Sequence, residues 1–187
     1  MLFPAQAAFN NDPVNSIDPL GLSTVRIETT TGKVTLVDPT GSQVREAISK
    51  LPDGSITGFE VTGHGWYDVM IIGAGESGDN IYLDQNDLTK KIRYSDEDIN
   101  FSDSIRKKLD PSAKITLEGC QTANSHHGIN IAQQLSKELP GVEVSGNKGY
   151  GIGNEYGLPW NRDKFIRLGK ENLAIGIKRA YLNGKEK

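Results

Sequence analysis

Two short segments hold the residue types that could do covalent chemistry. The chain has one cysteine, Cys120, and three histidines, His64, His126 and His127. Cys120 stands in Glu118-Gly119-Cys120-Gln121-Thr122-Ala123, directly after the β-type run Lys114-Ile115-Thr116-Leu117. His64 stands between Gly63 and Gly65, directly after the run Ile56 to Thr62. A thiol titrates near ~8.5 and is mostly protonated at neutral pH; a nearby imidazole, or the amide dipoles of a following helix, lowers that value. The thiolate then attacks a carbonyl carbon and the imidazole protonates the leaving amine. Backbone N–H groups must hold the developing oxyanion, and those of Gly65 and Cys120 are the candidates, because glycine neighbours let a substrate approach the main chain.

The elements around these residues must bring them together. Thr24–Glu28 and Lys33–Val37 alternate in the β manner around a Thr-Thr-Gly turn and predict a hairpin. Asp38 to Ser42 reads as a helix-capping turn, followed by Val44, Ala47, Ile48 and Leu51 at helical spacing and a stop at Pro52-Asp53-Gly54. Strands are expected over Ile56–Thr62, Val69–Ile72, Ile81–Leu83, Lys114–Leu117 and Val142–Ser145. Helices are expected over Ser102–Leu109, stopped by Asp110-Pro111-Ser112, and over His127–Leu139. The glycine-rich stretch from Gly146 to Asn161 reads as a loop at the mouth of the site, and Phe165–Leu168 and Leu173–Ile177 as edge strands or a last helix. Strands alternating with helices predict an α/β fold, a mostly parallel sheet flanked by helices with an N-terminal β-hairpin. In such sheets the functional crevice lies outside the carboxyl ends of the strands, which is where His64 and Cys120 fall.

The bulk numbers narrow the classes. A length of 187 residues supports one domain with a real core. With 36% hydrophobic and 24% charged residues the chain reads as globular. A net charge of -3 argues against a protein that coats nucleic acid, so no nucleic-acid partner is expected. No apolar run approaches the ~20 residues that span a bilayer, so no membrane partner is expected either. Met1 to Pro13 lacks the charged start and apolar run of a signal peptide, so export is expected to fall to another part of a larger polypeptide or to a separate machine. One cysteine excludes an internal disulfide and a four-cysteine zinc site. His126 and His127 are adjacent, so on a helix they point about 100° apart and do not readily share a metal; no metal and no cofactor are expected.

Read together, the Gly-His64-Gly segment and Leu-Glu-Gly-Cys120-Gln-Thr-Ala, followed by Ile-Ala-Gln-Gln-Leu and Val-Glu-Val-Ser-Gly, resemble the caspase-like cysteine peptidases over residues 55–146. The resemblance implies a caspase-like fold, His64 as general acid/base, Cys120 as nucleophile and the N–H groups of Gly65 and Cys120 as oxyanion hole. Trp66, Glu118, Gln121 and Ser145 become the candidate substrate-binding residues, and Glu118 and Asp68 could receive a basic side chain. No motif selects the residue preferred before the cut. Residues 1–22, rich in turn formers, form a separate segment. There Asn11-Asp12-Pro13-Val14-Asn15 and Asp18-Pro19-Leu20-Gly21-Leu22 resemble the end of the core of RHS-repeat proteins, just before a variable toxin domain. That resemblance implies an autoproteolytic boundary of the parent protein, marked by Asp18 and Leu22, and a toxin domain over residues 23–187. The family's upstream Asp-Pro element and surrounding core are absent from this sequence, so cleavage of this chain by itself is not expected. The implied partners are a target-cell protein as substrate, a cognate immunity protein and the RHS core of the parent chain. The implied route is export by a bacterial secretion system as part of a larger effector, with action in the cytoplasm of the target cell.

Two rival readings use the same residues. One is an RHS toxin of another enzyme class, a nuclease or a nucleotide-acting enzyme working through His64, His126 or His127. The other is a non-catalytic binding module that keeps the caspase-like fold, with Cys120 as a small buried hydrophobe and His64 bonded within the core.

Overall fold

The computed structural model describes residues 23–63, 65–72, 81–84, 93–94, 97–124, 128–149, 165–168, 171–174 and 178–187. The expected hairpin forms from β1 (Thr24–Thr29) and β2 (Gly32–Val37), paired from Thr24 against Val37 to Thr29 against Gly32. The chain then enters α1 (Gly41–Ser49) through the capping turn read from the sequence. Thr40 accepts from the Gln43 N–H through its hydroxyl, and the Gln43 side chain accepts from the Thr40 N–H, a reciprocal box that satisfies two otherwise orphaned donors.

From α1 the chain runs into β3 (Ile56–Thr62), then a meander of β4 (Val69–Ile72), β5 (Ile81–Asp84), β6 (Arg93–Tyr94) and β7 (Glu97–Asn100). The short helix α2 (Phe101–Arg106) leads to β8 (Leu109–Leu117), α3 (Ile131–Glu138) and β9 (Glu143–Asn147). A separate pair, β10 (Phe165–Leu168) with β11 (Glu171–Ala174), follows, then β12 (Lys178–Leu182) and β13 (Lys185–Glu186). The main sheet has the order β13-β12-β9-β8-β3-β1-β2. Its parallel part is the central trio β3, β8 and β9, and the strands on both flanks run antiparallel. The fold is therefore α/β, a partly parallel sheet flanked by helices with an N-terminal hairpin.

Register decides which face is core. Ile27, Phe59, Ile115, Val144 and Tyr181 lie on one row across five strands, and Val25, Val61 and Leu117 on the next core row. All of these are buried and join one cluster with Val44 and Ile48 of α1, Phe101 and Ile105 of α2 and Ile131, Ala132 and Leu135 of α3. Each such aliphatic side chain contributes about 1.5–3 kcal/mol when fully buried. The Phe59 and Phe101 rings meet at 5.7 Å in a tilted arrangement, fixing α2 against β3. The opposite face carries Arg26 against Glu60 at 2.8 Å and the Ser145 hydroxyl 3.3 Å from that of Thr116. Strand alternation thus sorts apolar residues to the helices and polar ones away from them.

The structure corrects two boundaries and adds a strand. Leu109 to Ser112 is not a helix end: β8 begins at Leu109, which pairs with Ile56, and the ladder resumes at Lys114 against Gly58. The residues in between form a bulge, in which the Asp110 carboxylate accepts from the Ser112 N–H and hydroxyl. A proline is tolerated at such a position because the ladder asks no N–H of it. The helix expected from His127 begins only at Ile131: Gly128 has φ +109° and Asn130 caps the helix by accepting from the Gln133 N–H. The last segment of the chain includes β12, which pairs with β9 and which periodicity did not reveal.

Candidate active site

The two strands named by the sequence lie side by side. β3 and β8 pair in parallel from Gly58 against Lys114 to Val61 against Leu117, and the Glu118 N–H continues the ladder to the Val61 carbonyl at 2.7 Å. Both then end at the same edge of the sheet. His64 lies outside the described residues, as do His126, His127, Asp18 and Leu22. Its neighbours Gly63 and Gly65 are described. A Cβ placed on Gly65 would come within 3.0 Å of the Gly119 Cα, and one on Gly119 within 2.9 Å of the Gly65 Cα. Real Cβ atoms essentially never approach backbone below 3.0 Å, so the residue after His64 and the residue before Cys120 touch main chain to main chain in a way only glycine permits.

Three further elements hold this contact. Met70 of β4 lies beneath both glycines through its sulfur, and Gly65 bridges Met70. Thr122 packs its methyl group against both glycines and donates its hydroxyl to the Leu117 carbonyl at 2.9 Å. The start of α3 ties the two loops together. The Ile131 N–H donates to the Tyr67 carbonyl at 2.9 Å, and the Ala132 N–H to the Thr122 carbonyl at 3.0 Å. The sequence suggested that this helix start would act on Cys120 through its amides. Its first three N–H groups are instead committed to Tyr67, Thr122 and the Asn130 cap, and they serve as a clamp.

Cys120 sits in the turn after β8 and is 6% exposed. Gln121 follows with φ 56°, a left-handed conformation that a non-glycine residue adopts at a cost and that recurs at functional turns. Its N–H donates to the Gly149 carbonyl at 2.6 Å and its side-chain oxygen accepts from Asn124 at 2.9 Å. Trp66 is half-buried, its N–H donates to the Val69 carbonyl, and its ring leans on Tyr67. Glu118 is paired with Lys178 of β12 and accepts from the Asn147 side chain, so an internal lysine already occupies the carboxylate that could receive a basic side chain. Ser145 lies on the polar face of β9, bonded to Thr116, two residues short of the strand end. Among the described residues no group of three His, Cys, Asp or Glu side chains could hold a metal ion, and no helix is long and apolar enough to cross a membrane.

Sequence reasoning gave Asn147 and Lys178 no role and read Gly146 as the first residue of a loop, whereas Gly146 and Asn147 are the last two residues of β9. Asn147 is buried and donates to the Gly119 carbonyl at 3.1 Å. A Cβ on Gly146 would fall 2.6 Å from the Thr122 hydroxyl, so this glycine lets β9 close on the Cys120 turn. Part of the signal for Asn147 was present: it is a polar residue two positions past the expected strand Val142–Ser145, and β9 runs on to include it, the kind of position that singled out the other two segments.

These features define an α/β protein whose central parallel strands end in a clamped Gly119-Cys120 turn packed against Gly65. The chain belongs to the family described as Domain of unknown function (DUF8616), whose model matches residues 32–161. The match takes in the ends of β3, β8 and β9 together. No curated protein and no solved structure matches the chain.

Proposed function

We propose that this chain is a caspase-like cysteine endopeptidase, with Cys120 as nucleophile and His64 as general acid/base. The observation that carries the reading is the backbone contact of Gly65 with Gly119, which joins the immediate neighbours of the two reactive residues. In the proposed reaction the Cys120 thiolate adds to a peptide carbonyl, and the N–H groups of Gly65 and Cys120 receive the oxyanion. The C–N bond breaks, His64 protonates the departing amine, and an acyl-cysteine remains. Water, deprotonated by His64, then releases the acid and restores the thiol. Trp66, Glu118 and Gln121 border the turn from which this chemistry would run. The resemblance of residues 11–22 to the end of an RHS core supports a wider reading: a toxin carried at the tip of a secreted effector, acting on a protein inside a target bacterium and held in check by an immunity protein.

The burial of Cys120 favours a second reading, a binding module that keeps the fold without the reaction. Growth of a susceptible bacterium expressing the chain, beside Cys120→Ala and His64→Ala, separates the two. Under the peptidase reading wild type halts growth and both variants are harmless while folded. A Cys120→Ala protein as toxic as wild type overturns it.

A further inference from the structure

We infer that Asn147 is a positioning residue that aims the Cys120 N–H at the oxyanion, an inference that rests on the peptidase reading above. β8 lies between β9 and β3, and Leu117 pairs with Gly146, so the next residues, Glu118 and Asn147, come abreast at the carboxyl edge. The Asn147 amide nitrogen is 3.1 Å from the Gly119 carbonyl and 3.4 Å from a Glu118 carboxylate oxygen. Both partners are acceptors, so only the NH₂ side of the amide can face them, and its two hydrogens serve one each. Glu118 is held in turn by Lys178, which pairs with Asn147 across β12 and β9. Asn147 is 1% exposed, so water does not compete for these bonds.

The consequence follows from the peptide plane. The Gly119 carbonyl and the Cys120 N–H belong to one planar trans unit and point in opposite directions. Holding the oxygen toward β9 turns the N–H toward the side of β8 occupied by β3, whose end carries Gly65. The chain Lys178, Glu118, Asn147, Gly119 therefore fixes the direction of the main-chain donor, with Asn147 acting through the Gly119 peptide. The Thr122 hydroxyl gives its one proton chiefly to the Leu117 carbonyl and accepts from the Asn147 N–H at 3.1 Å, which ties β9 to the turn from the other side.

Two probes of one thiol separate aiming from reactivity. p-Nitrophenyl acetate acylates a thiolate through a tetrahedral oxyanion: the S–C bond forms, p-nitrophenolate leaves, and acetyl-cysteine remains. Iodoacetamide alkylates the same thiolate by displacing iodide at carbon, with no oxyanion. In the full chain, Asn147→Asp, which sets an acceptor against the Gly119 carbonyl, should slow acylation about 10²-fold, the scale of a misplaced reacting group. Alkylation of Cys120 should change less than about threefold. Glu118→Ala, at a half-buried position that spares the core, should lower the ratio of the two rates a few-fold, and it decides the matter should Asn147→Asp fail to fold. Rates that fall together, or a ratio that stays at the wild-type value, overturn the role of Asn147. A wild-type chain that iodoacetamide alkylates but p-nitrophenyl acetate does not acylate, or a Cys120→Ala chain that releases p-nitrophenolate as fast as wild type, overturns the peptidase reading itself and this inference with it.

Discussion

The two ends of the parallel trio are built differently. At the amino end β3 and β8 are joined by ordinary structural bonds: the Ile56 N–H to the Lys108 carbonyl at 2.8 Å, the Gly54 N–H to the Lys107 carbonyl at 2.9 Å, and the Lys108 ammonium to the Leu51 carbonyl at 2.7 Å. Backbone there bends at the turn glycine, Gly54, at φ +70°, and at the bulge between Leu109 and Lys114 of β8. At the carboxyl end the same strands finish in two glycines in mutual contact, a left-handed Gln121, and a buried threonine and asparagine bonded to main-chain carbonyls. Much is spent there on holding one peptide in one orientation. The contrast teaches where constraint serves folding and where it serves a site: at the amino end such bonds, the buried Ser55 hydroxyl to the Pro52 carbonyl among them, close turns, whereas at the carboxyl end they converge on the Gly119 peptide.

The largest expected effect falls on the plain end. Ile56 is fully buried where β3 begins, and Ile56→Ala should cost about 2–5 kcal/mol, the range for emptying such a site. Thermal unfolding reads the loss, and the alkylation rate of Cys120 per folded molecule should stay at the wild-type value. A rate that drops with stability would erase the division between the ends. Gly119→Ala comes next, at about 1–3 kcal/mol for a forced overlap. Its new Cβ would meet the Gly65 backbone, which cannot swing aside as the Met70 side chain can. Acylation by p-nitrophenyl acetate should fall by about 10²-fold or more as the loops part. A Gly119→Ala protein with wild-type acylation would show that the glycine contact serves packing alone.

The sequence carried the two reactive segments because each is local: a β-type run that stops at a glycine beside a histidine or a cysteine. It also carried the hairpin, the capping turn from Asp38 to Ser42 and the parallel sense of β3, β8 and β9, since binary pattern and turn chemistry point the same way there. Asn147 is different. Its meaning depends on Leu117 lying against Gly146, a pairing across strands that no periodicity within either strand encodes. The bulge in β8 was hidden for a related reason: Asp110-Pro111-Ser112 has the composition of a helix stop, and only the partner strand shows that pairing resumes beyond it. The clamp at the start of α3 was misplaced because a cap at Asn130 reads much like a cap at the preceding polar residues until the Gly128 backbone is known.

The smallest expected effect sharpens the comparison from the amino end. The Lys108 ammonium lies 2.8 Å from the Asp53 carboxylate. The hydrogen bond from Lys108 and then its charge hold the Asp53 carboxyl below its ordinary value, with burial opposing and the charge of Lys107 adding a little. A depressed folded pKa means that the pair's contribution is present above the unfolded value, near ~3.9 for aspartate, and is lost as pH falls through the folded one. Wild type and Asp53→Asn should therefore differ by a small, constant shift in Tm from neutral pH down to about pH 5, begin to close near pH 4, and meet only once pH falls below the depressed folded value. Glu143, lowered chiefly by its bond from Lys187, and Asp110, lowered chiefly by the Ser112 hydroxyl, titrate in the same direction and cancel in the difference. Salt should shrink the shift, because the pair faces solvent. The alkylation rate of Cys120 should be the same in both proteins at every pH; a difference would mean that the amino end reaches the Cys120 turn through β8, and that the two ends are one mechanical unit.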